Sequence, residues 1–172
     1  MFALRCTRKL LNRGAPEVLE APVPPTTLLG DWYANVLFTR PEHLVLCLSE
    51  RTLLPVVVTA KDVKKLPYRV AEAAAKVLGA IGIDPDHVAE EVRKMEHGYL
   101  AVTANRKVLG SLNDFMFHLE HGLHMRPGLT LHERALCLSE MPSAAIEFAF
   151  PSEATRALFS ATIVMRAAQS AV

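Results

Sequence analysis

Between residues 31 and 59 three β-rich runs, "DWYANVLF", "HLVLCLS" and "LLPVVVT", follow one another with only "TRPE" and "ERT" between them. Connections that short cannot carry a crossover, so each run must return antiparallel beside the last. An antiparallel meander of two or three strands is therefore the framework around which the rest of the chain has to be arranged. Pro41, near the centre of the first connection, suits a turn.

Upstream, "FALRC" reads as a short strand and Thr7 as the N-cap of a brief helix, "RKLLNR", closed by Gly14 where a left-handed residue is wanted. "APEVLEAPVPPTTLLG" carries four prolines and is expected to be an extended connector over residues 15–29. Downstream, Pro67 suits the first turn of a helix that runs through "YRVAEAAAKVLGAIG" to Gly82. Asp84 and Pro85 then cap and start a second helix, "DHVAEEVRKME", whose acid-rich face reads as solvated. "GYLAVT" returns as a strand, with a helix opening just after it. Thr130 and Glu133 have capping-box spacing for "LHERALCLSE", which Pro142 ends. "AAIEFAF" reads as a further strand, followed by a helix from about Ser152 and a tail over about 167–172. Strands and helices in blocks predict an α+β fold: an antiparallel sheet of a short N-terminal strand plus the meander, packed with several helices in a single domain over 1–172.

The pentapeptide "LCLSE" occurs at Leu46 to Glu50 and at Leu136 to Glu140. The flanking residues share nothing, and one copy reads as strand and the other as helix, so it is a coincidence rather than a repeat.

The 172 residues are long enough to bury a core without disulfides or a structural metal. A formal net charge of +1, with 51% apolar residues, excludes both a disordered chain and a polyelectrolyte. The dense basic run "RCTRKLLNR" is too short to mark a nucleic-acid binder, so nucleic acid is not the expected partner. Three cysteines, Cys6, Cys47 and Cys137, form no C-x-x-C pair and predict a reducing compartment, the cytoplasm. No apolar run reaches the length of a membrane span.

Chemistry is most concentrated in "TANRKVLGSLNDFMFHLEHGLHM", residues 103 to 125. At about 100° per residue, Asp114, His118 and His121 fall within about 60° of one another, opposite a stripe of Val108, Leu112, Phe115, Leu119 and Leu123. One reading is a solvated helix face. The other is half of a site for a divalent metal ion, held by Asp114, His118 and His121, with Glu120 or His124 joining if the helix end distorts and His97, His132 or Glu133 supplying a further ligand. The spacing matches neither H-E-x-x-H nor H-x-H-x-D-H. At the helix start, Asn105 and Arg106 can polarise a carbonyl or, with Lys107, hold an anion, against the plainer role of Asn105 or Thr103 as N-cap.

Elsewhere the pattern carries less. Ser111 lacks the second glycine of a nucleophile elbow and reads as a small helical residue. Apolar neighbours mark Cys47 and Cys137 as inert. Glu50 and Arg51 suit a hairpin-end ion pair. Trp32 and Tyr33 alternate along a strand, which places one in the core and leaves the other to line a cleft.

Together "LRCTRKLL", "TTLLGDWYANVL", "LVLCLSERTLLPVVV", "TANRKVLGSLNDF" and "FPSEATRAL" resemble, in that order, a family of small bacterial proteins catalogued as a domain of unknown function. The resemblance spans nearly the whole chain. It implies an α+β domain with the elements in this order and no assigned activity or catalytic residue.

From the residues themselves, the leading expectation is a small soluble hydrolase of an uncharged ester or lactone, for example an acyl-homoserine lactone. Its catalytic candidates are Asp114, His118, Asn105 and Arg106, with or without a divalent metal and with no nucleotide cofactor. The partner is a small-molecule substrate, with no membrane involved and the oligomeric state left open. The alternative is a non-enzymatic protein- or nucleic-acid-binding accessory module that uses Arg8, Lys9 and Arg13 and the Trp32 edge.

Overall fold

The computed structural model describes residues 1–15, 18–19 and 23–170. Five strands, β1 (Phe2–Cys6), β2 (Trp32–Leu37), β3 (Leu44–Ser49), β4 (Pro55–Thr59) and β5 (Gly98–Val102), form one sheet. Six helices accompany it: α1 (Arg8–Leu11), α2 (Leu66–Ala80), α3 (Pro85–Met95), α4 (Arg106–Met125), α5 (Leu131–Ser139) and α6 (Pro151–Ser170). Residues 16–17 and 20–22 of the expected connector, and 171–172 of the expected tail, lie outside the described residues, while 167–170 continue α6.

The strand order is β4-β3-β2-β1-β5, with β2-β3-β4 the antiparallel meander and β1 parallel to both β2 and β5. The fold is α+β, but the expectation of an antiparallel sheet is corrected: the sheet is mixed. The N-terminal strand is its inner member rather than an appendage. Both parallel pairings need long returns, and the chain has them, between Cys6 and Trp32 for β1-β2 and over the whole stretch from Cys6 to Gly98 for β1-β5. Short turns spoke only for the meander.

Both faces of this sheet are covered. Arg5 pairs in register with Tyr33, and the Asn105 N–H donates to Tyr33 Oη, so α4 starts on the Arg5 face. On the other face a Cβ at Gly98 would come within 2.6 Å of the Phe2 ring and of Pro67, which puts α2 over Phe2. Glycine is required where β5 passes under α2. Trp32 and Tyr33 therefore point to opposite sides yet both are buried, so neither lines a cleft as expected. The uninterrupted burial of β3 and near-complete burial of β4 have the same cause, since strands covered on both faces read as continuous apolar runs. Of the edges, β4 is flanked by α5 and β5 takes Leu19 of the connector in a parallel bridge.

Several local expectations hold. Gly14 and Gly82 are left-handed, Asp84 accepts from the Asp86 amide ahead of Pro85, and Thr130 and Glu133 form the capping box. The two "LCLSE" copies lie in β3 with its turn and in α5 with its C-cap. Others need correcting. Thr7 stands at the N-cap position of α1, but its hydroxyl donates to Asn35 Oδ1 instead of capping. "AAIEFAF" is no strand: a 3-10 turn at Ala144–Ile146 is followed by Glu147 and Phe148 in left-handed backbone, and Phe148 N–H closes the loop on Ser143 O. The acid-rich face of α3 is not wholly solvated, because Glu91 is 2% exposed and accepts from the Leu28 and Leu29 amides.

Candidate functional site

Helix α4 buries Val108, Leu112, Phe115 and Leu119 of the face its periodicity predicted, together with Ser111, while Leu123 is only half-buried. Asp114, His118 and His121 are accordingly exposed on the other side. Not all of that face is open surface. His118 and His121 line a groove of about 410 Å³ between α4 and α5, whose walls include Leu119, Met125, Leu138 and Met141. Asp114 does not line it. Glu120 and His124 lean the other way, into a broader hollow of about 740 Å³ beside the β2–β3 turn.

The predicted residues are not all brought together. Asn105 and His118 are thirteen positions apart on one straight element, about 20 Å at helical rise. Asn105 and Arg106 therefore serve a different place from the histidines. The Asn105 carboxamide accepts from the Lys107 and Val108 amides, the plain N-cap, and so occupies two of the donors an anion would use. Arg106 is exposed in the first turn. Of the further ligands considered, Glu133 is committed to the Thr130 amide and hydroxyl, and those bonds hold its carboxyl below the usual range. His132 faces a separate hollow beside β4 and Arg69. Among the described residues no group of three or more His, Cys, Asp or Glu side chains is placed to hold a metal ion.

What shapes the groove is a residue the sequence reading passed over. Arg134 is 5% exposed and donates to the carbonyls of Gly122, Arg126 and Pro127, where α4 ends without a glycine cap. A cation there takes up orphan carbonyls and complements the helix dipole. The available signal was the Pro127-Gly128 break, which leaves those carbonyls needing a donor.

At the start of α4 a second polar cluster is tied off internally. Asp31 accepts from Ala3 N and from Arg5 Nε, both within 2.9 Å, and the Arg5 guanidinium lies 5.9 Å from the Tyr33 ring centroid. Tyr33 Oη donates to Glu50, not to a ligand, and burial followed by the Glu50 charge pushes its pKa to about 12. It stays a phenol. Arg51 donates to Leu28 O, so Glu50 and Arg51 are not the expected ion pair. Ser111 bonds its own helix at Lys107 O.

The thiols divide. Burial raises Cys6 to about 12 and Cys47 well above its ordinary value, which makes both inert as expected of Cys47. Cys137, marked as inert by its apolar neighbours in sequence, is exposed and lines the groove with the two histidines.

A family model, Domain of unknown function (DUF6933), matches residues 3–154. No curated protein matches the chain, and no solved structure does.

Proposed function

The chain belongs to this domain family, whose description names no chemistry, and from that premise we propose that the α4–α5 groove takes a small, uncharged, mostly apolar ester or lactone and hydrolyses it. The observation that carries the reading is the placing of His118 and His121 on the wall of an otherwise largely apolar groove. Small-molecule sites combine apolar walls with a few polar groups in this way. In the reaction, an imidazole nitrogen of His118 or His121 takes a proton from water as the oxygen attacks the carbonyl carbon. The ester C–O bond then breaks, and the proton passes to the leaving oxygen. A metal-assisted form would need a ligand beyond Asp114, His118 and His121.

The test is ring opening of acyl-homoserine lactones and hydrolysis of p-nitrophenyl esters by the purified chain, with elemental analysis of the same sample. Loss of a general base costs typically 10²–10⁴-fold, so His118→Ala combined with His121→Ala is expected to lower the rate at least about a hundredfold. No rate above the spontaneous one, or a double variant as fast as the parent, overturns the proposal. A stoichiometric ion that leaves with the two histidines selects the metal-assisted form.

No described helix is long and apolar enough to cross a membrane. We place the reaction in the cytoplasm on the strength of three unpaired cysteines. A second reading, a non-enzymatic accessory module, draws on the cationic surface around Phe38.

A further inference from the structure

Phe38 follows β2 and is 50% exposed. Two cations from the basic N-terminal segment converge on its ring, Lys9 with Nζ 4.6 Å from the centroid and Arg13 with Cζ at 5.7 Å. Ring attraction can hold each of them. Gathering both at one ring still sets like charges against each other, and Arg8 and Arg40 add two more exposed cations nearby in the chain. Among the described residues none of these four is in an ion pair, and Glu42, the acid in the same turn, is taken by Lys61. A surface of this charge attracts anions.

Phe38 and Arg40 also form one wall of the hollow of about 740 Å³, with Pro41, Leu123, His124 and Pro127 among its other residues. That space is ample for a flat heterocycle. Glu120 among its lining residues is a carboxylate that can accept from an exocyclic amino group. Cations beside an exposed ring at the mouth of such a hollow match a phosphate joined to an unpaired base. We propose that this corner binds single-stranded nucleic acid, with its phosphates against Arg8, Lys9, Arg13 and Arg40 and one base in the hollow against Phe38. The site is separate from the α4–α5 groove, and its failure would leave the hydrolase proposal standing.

The experiment is fluorescence anisotropy of the full chain with labelled single-stranded RNA and DNA about a dozen nucleotides long, titrated at rising KCl. Four phosphate contacts predict a slope of log K against log[salt] near −3, since each is worth about −0.7 on a single strand. Lys9→Ala with Arg13→Ala should flatten that slope by about 1.4. Phe38→Ala should weaken binding about tenfold at an unchanged slope, because stacking releases no counterions. All three side chains are exposed, so the variants are expected to keep their fold. Binding that is absent, indifferent to salt, as strong for duplex as for single strands, or untouched by Phe38→Ala overturns the proposal. So does binding confined to inorganic phosphate or to anionic vesicles.

Discussion

Glu91 shows how far one side chain can depart from the character of its neighbours. In "HVAEEVRKM" it recurs with Val88, Val92 and Met95 at helical spacing, on the inward stripe of α3. Its burial was therefore legible in position, although the acid type argued against it. What the sequence could not show was the pair of unsatisfied amides, Leu28 and Leu29, arriving from sixty residues upstream. Burial raises the carboxyl above its ordinary 4.5, and the two amides and Lys94 only partly offset it. A raised carboxyl binds its proton more tightly folded than unfolded, so its contribution is fullest below pH 4.5 and is lost as pH climbs through the folded value. Glu91→Gln removes that titration. The stability difference, parent minus variant, should fall as pH rises from 4.5 in denaturant unfolding measurements. A difference that stays level or grows contradicts the assignment.

For the elements, end signals were more readable than middles. Asn105, Asp84, Thr130 and Gly82 each sit at the boundary their chemistry implies, because capping is settled by a few adjacent residues. The faces of α4 were equally plain from its period. Which neighbour would cover those faces was not, so the histidines could be placed on the polar side without any sign that α5 would make a groove of it. Arg134 makes that groove possible by holding the end of α4 against α5. Arg134→Ala strands three carbonyls in a half-closed corner, and a loss of about 3 kcal/mol is expected from bonds to a charged donor. Denaturant unfolding measures it, and a loss under about 1 kcal/mol would mean that water replaces the guanidinium. "AAIEFAF" is the opposite lesson. Alternation alone does not make a strand: Glu147 and Phe148 take left-handed backbone and the segment closes on itself at Ser143.

At the scale of the whole molecule, the meander and the alternation of blocks were visible and the parallel pairings were not. Register across a long return leaves no local trace, and β1 carries only five residues with which to declare its neighbours. Its place is secured by Asp31, which takes an amide of β1 with one oxygen and Arg5 with the other, at 2% side-chain exposure. Asp31→Ala should cost about 3 kcal/mol, the usual price of stranding one member of a buried pair. The measurement is the unfolding free energy of the variant against the parent. Arg5→Met in the same background should recover part of the loss, and no recovery would show that the Ala3 amide, not the guanidinium, needs the carboxylate.

The position of β1 also sets an order of events during synthesis. Phe2 pairs with Gly98, so β1, once made, must wait for nearly a hundred more residues before its second neighbour exists. Until then one side of β1 is an unpaired edge rich in apolar side chains, the kind of surface that chaperones hold and that neighbouring nascent chains can capture. Slow translation between β1 and β5 would lengthen that exposure and is expected to lower the yield in the cell.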